Sequence, residues 1–131
     1  MVKVYKVCAV RNGRYVSCCT PRGVGQRTYR IGKWARGVLP GSKLFAFSSL
    51  AAAHDFRLSP EVILECEADP PLDFLPAAGR WERTSEDTRT SFLRFWKSRK
   101  VSFPFYKLQG FLPTPKGTVG CKRLRPLRQI S

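Results

Sequence analysis

Residues 3–20 read Lys3-Val4-Tyr5-Lys6-Val7-Cys8-Ala9-Val10-Arg11-Asn12-Gly13-Arg14-Tyr15-Val16-Ser17-Cys18-Cys19-Thr20. Two runs rich in β-branched and aromatic residues, Lys3–Val10 and Tyr15–Thr20, flank Asn12-Gly13. That dipeptide suits a type I′ turn, which needs positive φ at both central positions. The stretch predicts an antiparallel hairpin. A two-residue loop sets Arg11 directly opposite Arg14, where like charges repel by up to ~1 kcal/mol. Either the loop is longer or something anionic offsets the pair.

Beyond the hairpin, Arg27–Ile31 reads as a third strand ending at Gly32. Pro40-Gly41 is a turn, and Lys43–Phe47 a fourth strand. Ser48 and Ser49 are N-cap candidates for a short helix, Leu50–Arg57, which Pro60 ends. Val62–Ala68 alternates, with Val62, Leu64, Cys66 and Ala68 on one face and Ile63, Glu65 and Glu67 on the other. Such period-two alternation is that of a half-buried strand. Pro70, Pro71 and Pro76 make Asp69–Gly79 a loop. Thr84 or Ser85 opens a second helix reaching about Arg99, with Phe92, Phe95 and Trp96 on one face. Val101–Leu108 fits a closing strand, kept to an edge by Pro104.

The expectation is an α+β fold: a single antiparallel (mixed) sheet of five to six strands with two short helices. Residues 1–112 form one domain, and 113–131 a basic, loosely held tail. Tyr5, Val7, Val62, Leu64, Phe92, Phe95 and Trp96 are expected in one core.

Charge is segregated along the chain. All nine acids lie between Asp55 and Asp87, while residues 1–54 carry ten Lys/Arg and residues 88–131 carry eleven. The formal net charge is +15 over 131 residues. Blocked signs give a directional field able to gather a polyanion, which mixed signs would cancel.

The 43% hydrophobic content is that of a globular domain, not a disordered chain. No apolar run approaches the roughly 20 residues of a membrane span, and the alternating N-terminus is unlike a secretory signal. A cytoplasmic, reducing location is expected. Five cysteines without a C-x-x-C pair, and His54 as the one histidine, exclude a Cys2His2 zinc site. The thiols are expected to be buried and inert, and no metal or cofactor is expected.

The first functional candidate is a nucleic-acid surface of Arg11, Arg14, Arg22, Arg27, Arg30, Lys33, Trp34 and Arg36, joined by Lys122, Arg123 and Arg125 of the tail. Cations neutralise phosphates and release counterions, while aromatic faces stack on unpaired bases. No catalytic set is evident: His54 lacks a partner by motif, and the glycine-rich stretches lack the Gly-Lys-Ser/Thr of a phosphate loop.

The second candidate comes from Tyr29-Arg30-Ile31-Gly32, Phe45-Ala46-Phe47-Ser48-Ser49, Ala53-His54-Asp55-Phe56 and Val62-Ile63-Leu64. In that order, Thr28–Ala68 resembles the front half of the ADP-ribosyltransferase family. The resemblance implies a nucleotide site in which Arg30 holds cofactor phosphates, Ser48 lies near the nicotinamide ribose, and Glu65 or Glu67 supplies the carboxylate. Ser48-Ser49 replaces the family's Ser-Thr-Ser, and the glutamates fall earlier than its catalytic one. The chain also resembles small uncharacterised phage and bacterial proteins, a likeness that implies no activity.

The leading expectation is a non-enzymatic, intracellular nucleic-acid-binding or accessory protein with a basic, aromatic-interleaved surface. The alternatives are a phage-type module docking on an acidic protein partner, and an ADP-ribosyltransferase-like enzyme or inactive relative.

Overall fold

The computed structural model describes residues 1–17, 27–37, 42–70, 72–74, 77–78, 112–113 and 117–131. The first hairpin is β1 (Val2–Arg11) and β2 (Arg14–Ser17), closed by Asn12 at φ 51° and Gly13 at φ 73°. Its register sets Arg11 opposite Arg14, as the two-residue loop requires.

Short strands β3 (Thr28–Tyr29) and β4 (Ala35–Arg36) follow, then β5 (Leu44–Phe47). Helix α1 (Leu50–Phe56) starts where the Ser49 side chain accepts a hydrogen bond from the Ala52 N–H. Strand β6 (Val62–Ala68) is followed by β7 (Asp73–Phe74), β8 (Ala77–Ala78), β9 (Leu112–Pro113), β10 (Thr118–Cys121) and β11 (Arg123–Gln129).

Nine of these strands make one sheet with the order β4-β11-β6-β1-β5-β10-β7, while β2 and β3 branch from β1. All its strand pairs are antiparallel. β1 pairs with β6 from Val2 to Cys8, and with both β5 (through Tyr5) and β2 (from Cys8 onward). The β2–β3 branch then curls back to β11. The Gly32 N–H donates to the Pro126 carbonyl at 2.7 Å, and the Tyr15 hydroxyl to Gln129 Oε1 at 2.7 Å. The result is a nearly closed, barrel-like sheet.

This overturns the expected sheet of five to six strands with two helices. Two-residue strands carry too little alternation to be read locally. α1 is the one helix among the described residues, and the second helix to Arg99 and the strand Val101–Leu108 lie outside them. Residues 118–129, read as part of a loosely held tail, form β10 and β11 instead. Val119, Cys121 and Leu124 are fully buried there. Pro126 fits inside a strand because the pairing of β11 with β6 is irregular at that point.

The expected single core is also two. Val4, Cys8, Leu64, Cys66, Val119 and Leu124 pack inside the curl with Tyr29, whereas Val7, Phe47, Ala53 and Ile63 pack under α1 with Tyr5 and Phe56. Alternation along β1 and β6 sends neighbouring residues to opposite faces, and both faces are covered. Gly117, at φ +83°, lets α1 approach: a Cβ there would lie 2.9 Å from that of Ala52. Phe92, Phe95 and Trp96 lie outside the described residues.

Candidate nucleic-acid interface

Arg14 begins β2, across the turn from Arg11. Next to β2, Arg27 and Ser17 hold each other through backbone and side-chain hydrogen bonds at the entry to β3. The chain then turns through Arg30 and Gly32, the latter at φ +81°, so that Lys33 and Trp34 return towards β11. Arg14, Arg27, Thr28, Arg30, Lys33, Trp34 and Ala35 line one open cleft of about 390 Å³. Among the described residues, no carboxylate forms an ion pair with its four cations.

β4 lies on β11 with Arg36 opposite Arg123 and Ala35 opposite Leu124. Trp34 consequently faces the same side as the β11 arginines. The Arg123 guanidinium sits 3.9 Å from the centre of its indole and that of Arg125 5.1 Å away. Two segments far apart in sequence meet at this tryptophan.

The β11 cations are engaged with β6. Arg123 pairs with Asp69, Arg125 with Glu67 and Arg128 with Glu65, the last at 2.7 Å. Lys3 on β1 reaches the other oxygen of Glu65 at 2.7 Å. The register explains the ladder: Arg125 lies opposite Glu67 and Arg128 opposite Glu65, with Leu127 as the extra residue between them. That extra residue lets Arg128 keep to the acidic face.

Of the expected binding residues, the structure brings Arg14, Arg27, Arg30, Lys33 and Trp34 to one cleft. Arg11 adjoins it through its pairing with Arg14, and exposed Arg36 stands beside Arg123. Lys122 is exposed between β10 and β11. Arg123 and Arg125 are committed to carboxylates and to Trp34, and Arg22 lies outside the described residues. Sequence reasoning missed Thr28 and the carboxylate ladder. The ladder's signal was present, since Glu65, Glu67 and Asp69 alternate as Arg123 and Arg125 do.

The alternative nucleotide set is not brought together. Ser48 bonds through its backbone N–H to Gly117 beside α1, and Glu65 and Glu67 are held in ion pairs. Neither these glutamates nor Ser48 lines the cleft of Arg30. Among the described residues, no group of His, Cys, Asp or Glu is arranged to hold a metal. The thiols inside the curl are poor nucleophiles. Burial pushes Cys8 up to about 12 and Cys121 to about 11, and raises Cys66 as well.

The ladder couples folding to acidity. Hydrogen bonds from Lys3 and then Arg128 hold the Glu65 carboxyl below its ordinary range, and a hydrogen bond from Arg123 does the same for Asp69. A depressed folded pKa contributes stability above the unfolded value, and that stability is lost as pH falls through the folded value. Thermal unfolding is expected to be flat near neutrality and to drop below about pH 4, the usual carboxylate range. Glu65→Gln should lower the melting temperature at pH 7 and lose part of that acid dependence. An unchanged pH profile in the variant would mean that Glu65 is not linked to folding.

No family model, curated protein or solved structure matches the chain. Among the described residues, no helix is long and apolar enough to cross a membrane.

Proposed function

We propose that this is a non-enzymatic nucleic-acid-binding or accessory protein that holds a single strand along the cleft of Arg14, Arg27, Arg30 and Lys33. The observation that carries the reading is the contrast between the two basic surfaces. On β11 the arginines are neutralised by Glu65 and Glu67 of β6 and by Asp69 directly after it. Around the cleft, four cations converge with no carboxylate partner among the described residues, a costly arrangement that a bound polyanion offsets. The free, buried thiols of Cys8, Cys66 and Cys121 suit a reducing, cytoplasmic setting for such a role.

Titration of labelled single-stranded RNA and DNA at ~50 and ~200 mM salt tests this. Four phosphate contacts give a log–log salt slope of about −3, at roughly 0.7 per contact on a single strand. Affinity is then expected to fall about fifty-fold between the two conditions. No binding of either nucleic acid at ~50 mM salt overturns the reading and leaves an acidic protein as the partner to seek.

A further inference from the structure

We infer that Trp34 is a base-stacking platform and that its cleft seats one unpaired nucleotide, with Arg123 and Arg125 as positioning residues behind the indole. The inference rests on the nucleic-acid reading above and names what the cleft selects. Trp34 belongs to two environments at once. It borders the cleft beside Arg30 and Lys33, and it is covered by the Arg123 guanidinium at 3.9 Å.

That cover is itself fixed. Glu67 of β6 holds Arg125 and Asp69, the residue after β6, holds Arg123, while β6 itself is hydrogen-bonded to β11 along the same register. A cation held over an aromatic face restrains the ring, and a carboxylate holding that cation withholds it from phosphate. The two arginines thus orient the indole, while Arg14, Arg27, Arg30 and Lys33 are left for the ligand.

Size and chemistry agree on the occupant. The cleft, about 390 Å³, is near the lower end of small-ligand sites, which start at about 300 Å³. One base with its sugar suits it, leaving the phosphates on either side along the strand to Arg14, Arg27, Arg30 and Lys33, and a duplex does not, because paired bases stay stacked on each other. Every base presents a π-face, so selection is for an unpaired base over none, not for one base over another.

The experiment compares three ligands on the full chain at ~50 and ~200 mM salt: oligothymidine, an abasic deoxyribose-phosphate strand of equal length, and a duplex. Wild-type protein is expected to bind oligothymidine about tenfold tighter than the abasic strand, within the usual range for stacking. Trp34→Ala should erase that preference and leave the salt slope unchanged. Glu67→Gln with Asp69→Asn should shrink the preference and steepen the salt slope, because two guanidiniums are released to phosphate. A merely structural role for the carboxylates would not steepen it.

Equal wild-type affinity for the abasic strand and oligothymidine overturns this inference alone. Failure of all three ligands to bind overturns the nucleic-acid reading beneath it. The wild-type comparison needs no substitution, so it decides the matter even if a variant fails to fold.

Discussion

Leu124→Ala is expected to destabilise the domain by about 2–5 kcal/mol in urea unfolding, the usual range for emptying a packed leucine site. Leu124 is fully buried and lies between two strands, opposite Ala35 of β4 and Ala68 of β6. Both neighbours are alanines, too small to fill the space left by the lost side chain. Leu127, three residues on, is 38% exposed and is the extra residue of the same strand. Its replacement by alanine should stay within about 0.5 kcal/mol, as for most surface changes. Equal, small losses at both positions would mean that 123–129 is an appendage to the sheet, not one of its central strands.

Neutralising the cleft should separate binding from folding. Replacing Arg14, Arg27, Arg30 and Lys33 with glutamine is expected to bring the salt slope from about −3 to near zero. The same variant should unfold no earlier than wild type. Arg11 and Arg14 face each other across the turn, so removing one charge relieves a repulsion of some tenths of a kcal/mol up to ~1 kcal/mol. The attachment of Arg27 to Ser17 runs through its backbone, which glutamine preserves. Lost binding with unchanged or slightly higher stability marks a surface shaped for a ligand. A slope that stays near −3 would move the interface elsewhere.

Local chemistry made part of this molecule legible from sequence. Asn12-Gly13 specifies its turn through positive φ, Ser49 caps α1 with its own oxygen, and Val62–Ala68 spells a strand by alternation. What stayed hidden depends on partners distant in the chain. Arg123, Arg125 and Arg128 look like a solvated basic run until Asp69, Glu67 and Glu65 lie opposite them. Leu64 and Val7 look like members of one core until the sheet curls and α1 covers its other face. At the site, the cations and Trp34 were visible as residue types. They were also expected on one surface, but the cleft that gathers Arg14, Arg27, Arg30, Lys33 and Trp34 out of that set was not legible, since it depends on the turn at Gly32 bonding to Pro126.

The central strands also bear on how the protein is made. β1, β6 and β11 lie side by side, yet Arg125 and Glu67 are 58 residues apart in the chain and Arg128 and Glu65 are 63 apart. Contacts so distant form late and slow folding, because loop closure costs entropy before packing repays it. During synthesis β6 emerges well before β11 and waits with one edge unpaired. An apolar edge in that position invites pairing with another chain, whereas charged side chains on an edge strand discourage it. Glu65 and Glu67, with Asp69 directly after the strand, put carboxylates along that waiting edge. They repel a second copy of β6 until the arginines arrive, so the ladder that locks the finished sheet also guards the unfinished one.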